Sequence, residues 1–353
     1  MTRLPRLPGL NRKIRHILIV VLGACVAVFA SSAGAADLVV ASYGGVWQTA
    51  TQKCFVEPYE KRTGKSVDVV LGTSSEWMNQ ISASPGKPPV DLFLAAPDGV
   101  IDAVNRNISD ALDAKHLPAL SELDPTLLKQ GLGHAVVVGY SSLGLAYNKD
   151  VVKDPPKTWD EFIKGTEAGK WNVAIPGMRQ ASTPDVVLWF LAYLKGGGVD
   201  NINPAFDTIA KMKAGGKMHV WNDMNQFLTE LETGDTDIGM YWEGRTWAFH
   251  DAGNSNVGFI KPKPIMPIHS TLVLKAKNSS PLAWDFLNQM LGSQAMSCFG
   301  NMIQYGTGNA HVKYSPTIQS RITRSNEIVV PPYDRINAHM SQWVERWNKE
   351  VGN

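Results

Sequence analysis

Leu38 to Trp77 reads LVVASYGGVWQTATQKCFVEPYEKRTGKSVDVVLGTSSEW, and the order of residue types in it decides the fold class. Leu38-Val39-Val40-Ala41-Ser42 is a short β-type run that stops at Tyr43-Gly44-Gly45, where glycine lets the backbone turn sharply. Val46 to Lys61 then carries apolar residues at helical spacing, and Ser66 to Leu71 is β-type again. Gly72-Thr73-Ser74-Ser75-Glu76 follows, with Ser74 or Ser75 as the expected N-cap of a helix running through Trp77 to Ile81. A third strand is expected over Val90 to Ala95, ending at Ala96-Pro97-Asp98-Gly99. Strands alternating with helices predict an α/β fold with a parallel sheet. Ligands of such sheets bind beyond the carboxyl ends of the strands, which is where Tyr43, Ser74 and Asp98 stand.

Towards the carboxyl terminus the same alternation continues. Ala135 to Gly139 is apolar, and Thr158-Trp159-Asp160-Glu161-Phe162 is a capped helix start. Strands are expected at Val173 to Ile175, Asp237 to Trp242 and Ile268 to Lys275, and helices at Val186 to Leu194 and Pro281 to Met290. Trp47 and Trp221 are assigned to helix packing. At 353 residues the chain exceeds what one core usually holds, so two lobes are expected.

Towards the amino terminus, five basic residues (Arg3, Arg6, Arg12, Lys13, Arg15) precede an apolar run from Ile17 to Ala30 and the small residues Ser31 to Ala36. That order is expected of an export leader, residues 1–36, cleaved after Ala35 or Ala36. The apolar run falls short of the roughly 20 residues of a membrane span. Leu22-Gly23-Ala24-Cys25 is similar to a lipoprotein cleavage box, but Val26 to Ala30 extend the apolar region beyond it, so Cys25 is read as apolar filler and the mature chain as periplasmic and without lipid. Losing the leader turns the formal charge of +2 into about −3, which argues against a nucleic-acid partner. Cys54 and Cys298 remain; an oxidising compartment permits a bridge between them, and two separate buried thiols fit equally.

Several segments appear in order along the chain: ASYGGVWQ, PVDLFLAAPD, GYSSLGLAYNKD, PKTWDEF, LETGDTDIGMYWEGR, and LVLKAKNSSPLAWDFLNQML with YGTGNA after it. This series resembles the type II extracellular solute-binding proteins of the spermidine/putrescine-like group. The resemblance implies a periplasmic-binding-protein type II fold, in which two α/β lobes close on a solute about two crossing segments. Those segments would lie near Val138 to Ser141 and near Phe259 to Pro264. Residues 37–138 plus 262–322 would form one lobe, 139–261 the other, and 323–353 a helical segment packed on the hinge or the second lobe. The implied role is non-enzymatic: capture of a polyamine-like cation or an amino-carboxylate for an inner-membrane ABC permease and its ATPase, by a monomer without cofactor.

The candidate ligand-binding residues are Tyr43, Ser74, Asp98, Ser141, Arg179, Trp242, Glu243, Arg245 and Tyr305. Tyr43 stands where the family places an aromatic at the cleft rim, and an aromatic face attracts a cation by about 0.5–2 kcal/mol. Ser74 either meets the ligand or only caps its helix, and Asp98 either receives an ammonium or only opens a turn. Trp242 followed by Glu243 partly matches the stacking aromatic and acid of polyamine binders. Arg245 departs from that pattern, because a cation would repel a polyamine and hold a carboxylate. Arg245 is alternatively paired with Glu243 alone. Arg179 offers a second carboxylate clamp after a lobe-two strand, and Tyr305 lies on the family's last cleft-facing segment.

Two other classes fit the sequence less well. A secreted hydrolase would favour Gly-x-Ser-x-Gly, and Gly139-Tyr140-Ser141-Ser142-Leu143-Gly144 misses that spacing by one residue. A ferric or other metal binder of the same fold would favour adjacent tyrosines, and the chain has no Tyr-Tyr pair. The eight histidines are scattered, with no His-Glu-x-x-His.

Overall fold

The computed structural model describes residues 36–178, 184–263, 266–324 and 327–352. The expected leader, with Cys25, lies outside them except for Ala36.

Strand β1 (Leu38–Ser42) leads into helix α1 (Val46–Thr51), a π-helical turn (Gln52–Val56) and α2 (Glu57–Thr63). β2 (Val67–Leu71) pairs parallel to β1, Leu38 opposite Val67 through Ser42 opposite Leu71. Helix α3 (Ser74–Ala83) is capped by Thr73, one residue before the expected cap. Glu76 then falls at the third helical position and closes a capping box, its carboxylate accepting from the Thr73 N–H at 2.8 Å. β3 (Leu92–Ala95) pairs parallel to β1, and α4 (Pro97–Asn105) follows it. A four-residue helix α5 (Pro125–Leu128) precedes β4 (Ala135–Asn148), which at 14 residues is far longer than its apolar start indicates.

Beyond β4 come α6 (Trp159–Glu167), β5 (Val173–Pro176), α7 (Pro184–Leu194), α8 (Asn203–Ala214), β6 (Met218–Trp221), α9 (Met224–Thr233), β7 (Ile238–Trp242) and α10 (Glu243–Asp251). β8 (Val257–Ile260), β9 (Met266–Lys275), α11 (Leu282–Leu291), α12 (Ser293–Ile303), α13 (Pro316–Arg321), β10 (Ile328–Val329) and α14 (Tyr333–Glu350) complete the order. Trp221 closes a strand, is 2% exposed, and packs on a helix as expected, its ring stacked on Phe227 of α9 at 5.5 Å.

The sheet is mixed, not parallel throughout. β5 pairs parallel with β6 and β7, but β9 runs antiparallel to β3 and to β4. β4 changes partners along its length. Through Ser142 it pairs with β9; from Leu143 it pairs with β7, and from Leu145 also with β8.

Burial follows the same division. One core gathers residues between Leu38 and Tyr140 with others from Leu272 to Ile303. The other gathers residues between Leu143 and Val257 with Ile336, Trp343, Trp347 and Val351 of the carboxyl-terminal segment. Helix α14 also touches α4, which belongs to the first core. Among the described residues the chain therefore passes between the cores three times: after Tyr140, after Val257 and after Ile303. A disulfide joins Cys54 to Cys298, 244 residues apart in sequence, and fixes the π-helical turn to α12. Among the described residues no helix is long and apolar enough to cross a membrane.

An ion pair ties the passage after Ile303 to the helix α10 beside the second core. Arg321 at the end of α13 grips Asp251 at the end of α10 with both nitrogens (2.6 and 2.9 Å) and lies over the Trp247 ring at 4.6 Å. The Arg321 hydrogen bonds hold the Asp251 carboxyl well below the usual carboxylate range. A depressed folded value stabilises the protein above the unfolded pKa and is lost as pH falls through the folded one. Arg321→Ala should cost about 1 kcal/mol at pH 7, since the pair is partly exposed. In denaturant titrations that cost should start to shrink below about pH 4; a cost that does not change with pH would show that the arginine acts only by packing on Trp247.

Candidate functional site

The carboxyl ends of β1 and β3 supply one wall. Tyr43 follows β1 directly; its hydroxyl lies 3.3 Å from Ser74 Oγ, and its ring packs against Trp47 at 5.5 Å and Trp77 at 5.7 Å. Because Thr73 does the capping, the Ser74 hydroxyl is left to meet Tyr43. Burial pushes the Tyr43 hydroxyl up, the Ser74 hydrogen bond opposes this, and the nearby Asp98 carboxylate adds to it. Asp98 is exposed in the first turn of α4, a position favourable to a negative charge. Among the described residues, no hydrogen bond or ion pair engages its carboxylate.

The end of β7 and the start of α10 supply the facing wall. Trp242 occupies the N-cap position and is 4% exposed. Ser141 Oγ accepts a hydrogen bond from the Gly244 N–H at 3.1 Å and is thereby engaged within the protein. Gly244 must lack a side chain, because a Cβ there would come within 2.3 Å of the Tyr305 ring. That ring meets Trp47 edge-on at 5.8 Å, so an aromatic path runs from Ser74 through Tyr43, Trp47 and Tyr305 to α10. Arg245 is exposed in the first turn of α10 and hydrogen-bonds the Tyr241 hydroxyl, which burial nonetheless lifts to about 12. Its charge also reaches Tyr305, whose hydroxyl burial raises and Arg245 draws back down.

Glu243 turns away from this space. Only 3% exposed, its carboxylate receives Lys261 Nζ at 2.9 Å, the Thr323 N–H at 3.1 Å and the Ser142 hydroxyl at 3.1 Å. Burial pushes the Glu243 carboxyl up, and Lys261 draws it back down. The structure thus brings Tyr43, Ser74, Asp98, Ser141, Trp242, Arg245 and Tyr305 into one neighbourhood and sets the Glu243 carboxylate behind it. Arg179 lies outside the described residues.

His269 is a member of this neighbourhood that the sequence reading missed. It sits on β9 opposite Ser141, its ring 5.5 Å from that of Trp242, and Asp98 is near enough to influence its charge. Burial pulls its imidazole below the ordinary range, with Asp98 opposing. Its Nδ1 is buried and has no hydrogen-bond partner among the described residues. A buried polar atom left in that state costs roughly 1–3 kcal/mol. The available signal was one polar ring in the apolar run of β9.

Aromatic rings together with a carboxylate, an imidazole and a guanidinium can hold a small molecule bearing an ammonium and a carboxylate. Among the described residues, no group of three or more His, Cys, Asp or Glu side chains is placed to hold a metal ion.

Residues 55–325 match the family described as bacterial extracellular solute-binding protein. A solved extracellular solute-binding protein from Bordetella parapertussis superimposes with a TM-score of 0.82 at 26% identity, over 89% of this chain and 98% of the other. An Agrobacterium tumefaciens binding protein in an open unliganded conformation gives 0.72 at 20% identity over 89% and 99%. A GABA receptor gives 0.70 at 19% identity over 88% and 96%. At that identity the last two speak for the fold alone. A norspermidine sensor of Vibrio cholerae is 25% identical over 130 residues, covering 37% of this chain and 36% of the sensor. The chain thus matches about a third of the sensor's length.

Proposed function

Since the chain belongs to the bacterial extracellular solute-binding protein family, we propose that it is the periplasmic receptor of an ABC importer and captures a small amine-bearing solute, preferentially an amino-carboxylate. Support for the ligand class comes from an acid and a base near one run of rings: Asp98 is near enough to influence Tyr43 and His269, the charge of Arg245 reaches Tyr305, and the Tyr43, Trp47 and Tyr305 rings touch in series. A polyamine satisfies Asp98 and the rings but meets a repulsive charge at Arg245. An amino-carboxylate satisfies both ends.

The two cores act as lobes, residues 37–138 with 262–322 and residues 139–261, and 323–353 packs across them. Closure about the crossing segments buries the solute. Residues 1–36 direct export, and the closed receptor docks on an inner-membrane permease driven by its ATPase. Support for the amine comes from the norspermidine sensor. The polyamine reading is kept as the alternative because Asp98 has no partner among the described residues.

Melting-temperature measurements against 4-aminobutanoate, other amino-carboxylates, betaines, putrescine and norspermidine test this. A solute at a hundred times its Kd stabilises the folded chain by about 2.7 kcal/mol. Amino-carboxylates should raise the melting temperature most. A shift with polyamines alone would reverse the preference, and a shift with none of the amines would remove the amine from the account.

A further inference from the structure

The three passages between the cores converge on one buried carboxylate. Ser142 lies where β4 leaves β9 for β7; Lys261 lies between β8 and β9; Thr323 lies between α13 and β10. Each of them donates to Glu243. Lys261 Nζ approaches at 2.9 Å, Ser142 Oγ at 3.1 Å, and Thr323 through both its N–H at 3.1 Å and its hydroxyl at 3.0 Å. The passages also meet each other: the Ser142 and Thr323 hydroxyls lie 2.8 Å apart, where one can donate to the other only in place of Glu243, and the Tyr140 hydroxyl donates to the Thr323 carbonyl at 2.9 Å. Glu243 itself opens α10 between Trp242 and Arg245, and the next N–H, that of Gly244, is held by Ser141.

We propose that Glu243 is a positioning residue: it fastens the three inter-core passages to the start of α10, so that the hinge angle and the placement of Trp242 and Arg245 are set together. The inference rests on the reading of the two cores as hinged lobes. A buried ion pair contributes little net stability over an apolar replacement, but separating it strands a charge, so arrangements that pull its partners apart are disfavoured. Here each passage contributes its own donor, so moving one without the others leaves the carboxylate short of a partner. A side chain present only for packing would not need donors from three separate segments.

Spin labels on Lys115→Cys beside the first core and Lys153→Cys beside the second, both exposed positions, report the distance between the cores by double electron–electron resonance. Glu243→Gln keeps the shape and removes the charge; Thr323→Val, which removes one donor, serves if the glutamine variant does not fold. In folded variant protein without solute the distance distribution should broaden or shift from the wild type's. A side chain that merely stabilises would lower the melting temperature and leave the distribution in place. The labelled wild type is also measured with saturating 4-aminobutanoate. If that distance moves while the variant distributions superimpose on the wild type's, the role given to Glu243 is wrong and the hinge stands. If the wild-type distance does not move with solute bound, the hinged-lobe reading itself fails.

Discussion

Arg245→Ala is expected to weaken binding of 4-aminobutanoate by about 2–5 kcal/mol, roughly thirtyfold to several thousandfold, with little loss of stability. A guanidinium in the first turn of a helix opposes the helix dipole, so the folded chain gains little from it there in the absence of an anion. With a carboxylate bound, the guanidinium and the helix terminus both favour the negative charge. The side chain is exposed and its removal opens no cavity; the Tyr241 hydroxyl loses one hydrogen bond, worth about 1 kcal/mol. Arg245→Lys should restore part of the affinity, because an ammonium cannot reproduce the planar fork. Putrescine should respond in the opposite sense, binding unchanged or more tightly to Arg245→Ala, whereas Asp98→Asn should weaken both solutes. Calorimetry with the two solutes on the three variants separates the ligand classes. An unaltered 4-aminobutanoate affinity in Arg245→Ala would remove the carboxylate clamp.

The second large effect concerns Cys54 and Cys298. Their bridge closes a loop with a sequence separation of 244 residues, and on chain-entropy grounds its loss should cost roughly 3–5 kcal/mol. Both cysteines belong to the first-core side, Cys54 being 2% exposed, so replacing both with alanine adds only a small packing loss. Urea denaturation of the double variant, or of wild type under reductant, should show an earlier midpoint. Coincident transitions would mean that the two sulfurs pack without being bonded.

The strand–turn–helix opening was legible because an apolar β-type run, two glycines and a helical apolar spacing are all local signals. The residues at strand ends followed from it, which is why Tyr43, Ser74, Asp98, Trp242 and Arg245 could be named together. What was not legible depends on distant partners. The antiparallel course of β9 is set by where the chain re-enters the first core, and nothing in Ile268 to Lys275 encodes a direction. The second half of β4 takes β7 as its partner, a strand about 95 residues further along. Choosing Ser74 or Ser75 over Thr73 missed that Glu76 completes a capping box with the threonine. Glu243 is read from the sequence as an acid meeting the solute beside Trp242, or alternatively as the partner of Arg245, because these residues are close in sequence. At the start of a helix, however, residues two apart point to different sides, and the carboxylate turned to Lys261, Thr323 and Ser142. Those three, like His269, come from segments that meet only once the chain has folded.

The proposed capture, with the solute held between the two cores and drawing them together, predicts a more compact bound state. Small-angle X-ray scattering on the chain with and without the amine that stabilises it most tests this directly. The radius of gyration should fall at saturation, while Arg245→Ala at the same solute concentration should keep the larger value. An unchanged radius in wild-type protein shown by calorimetry to be saturated would contradict it.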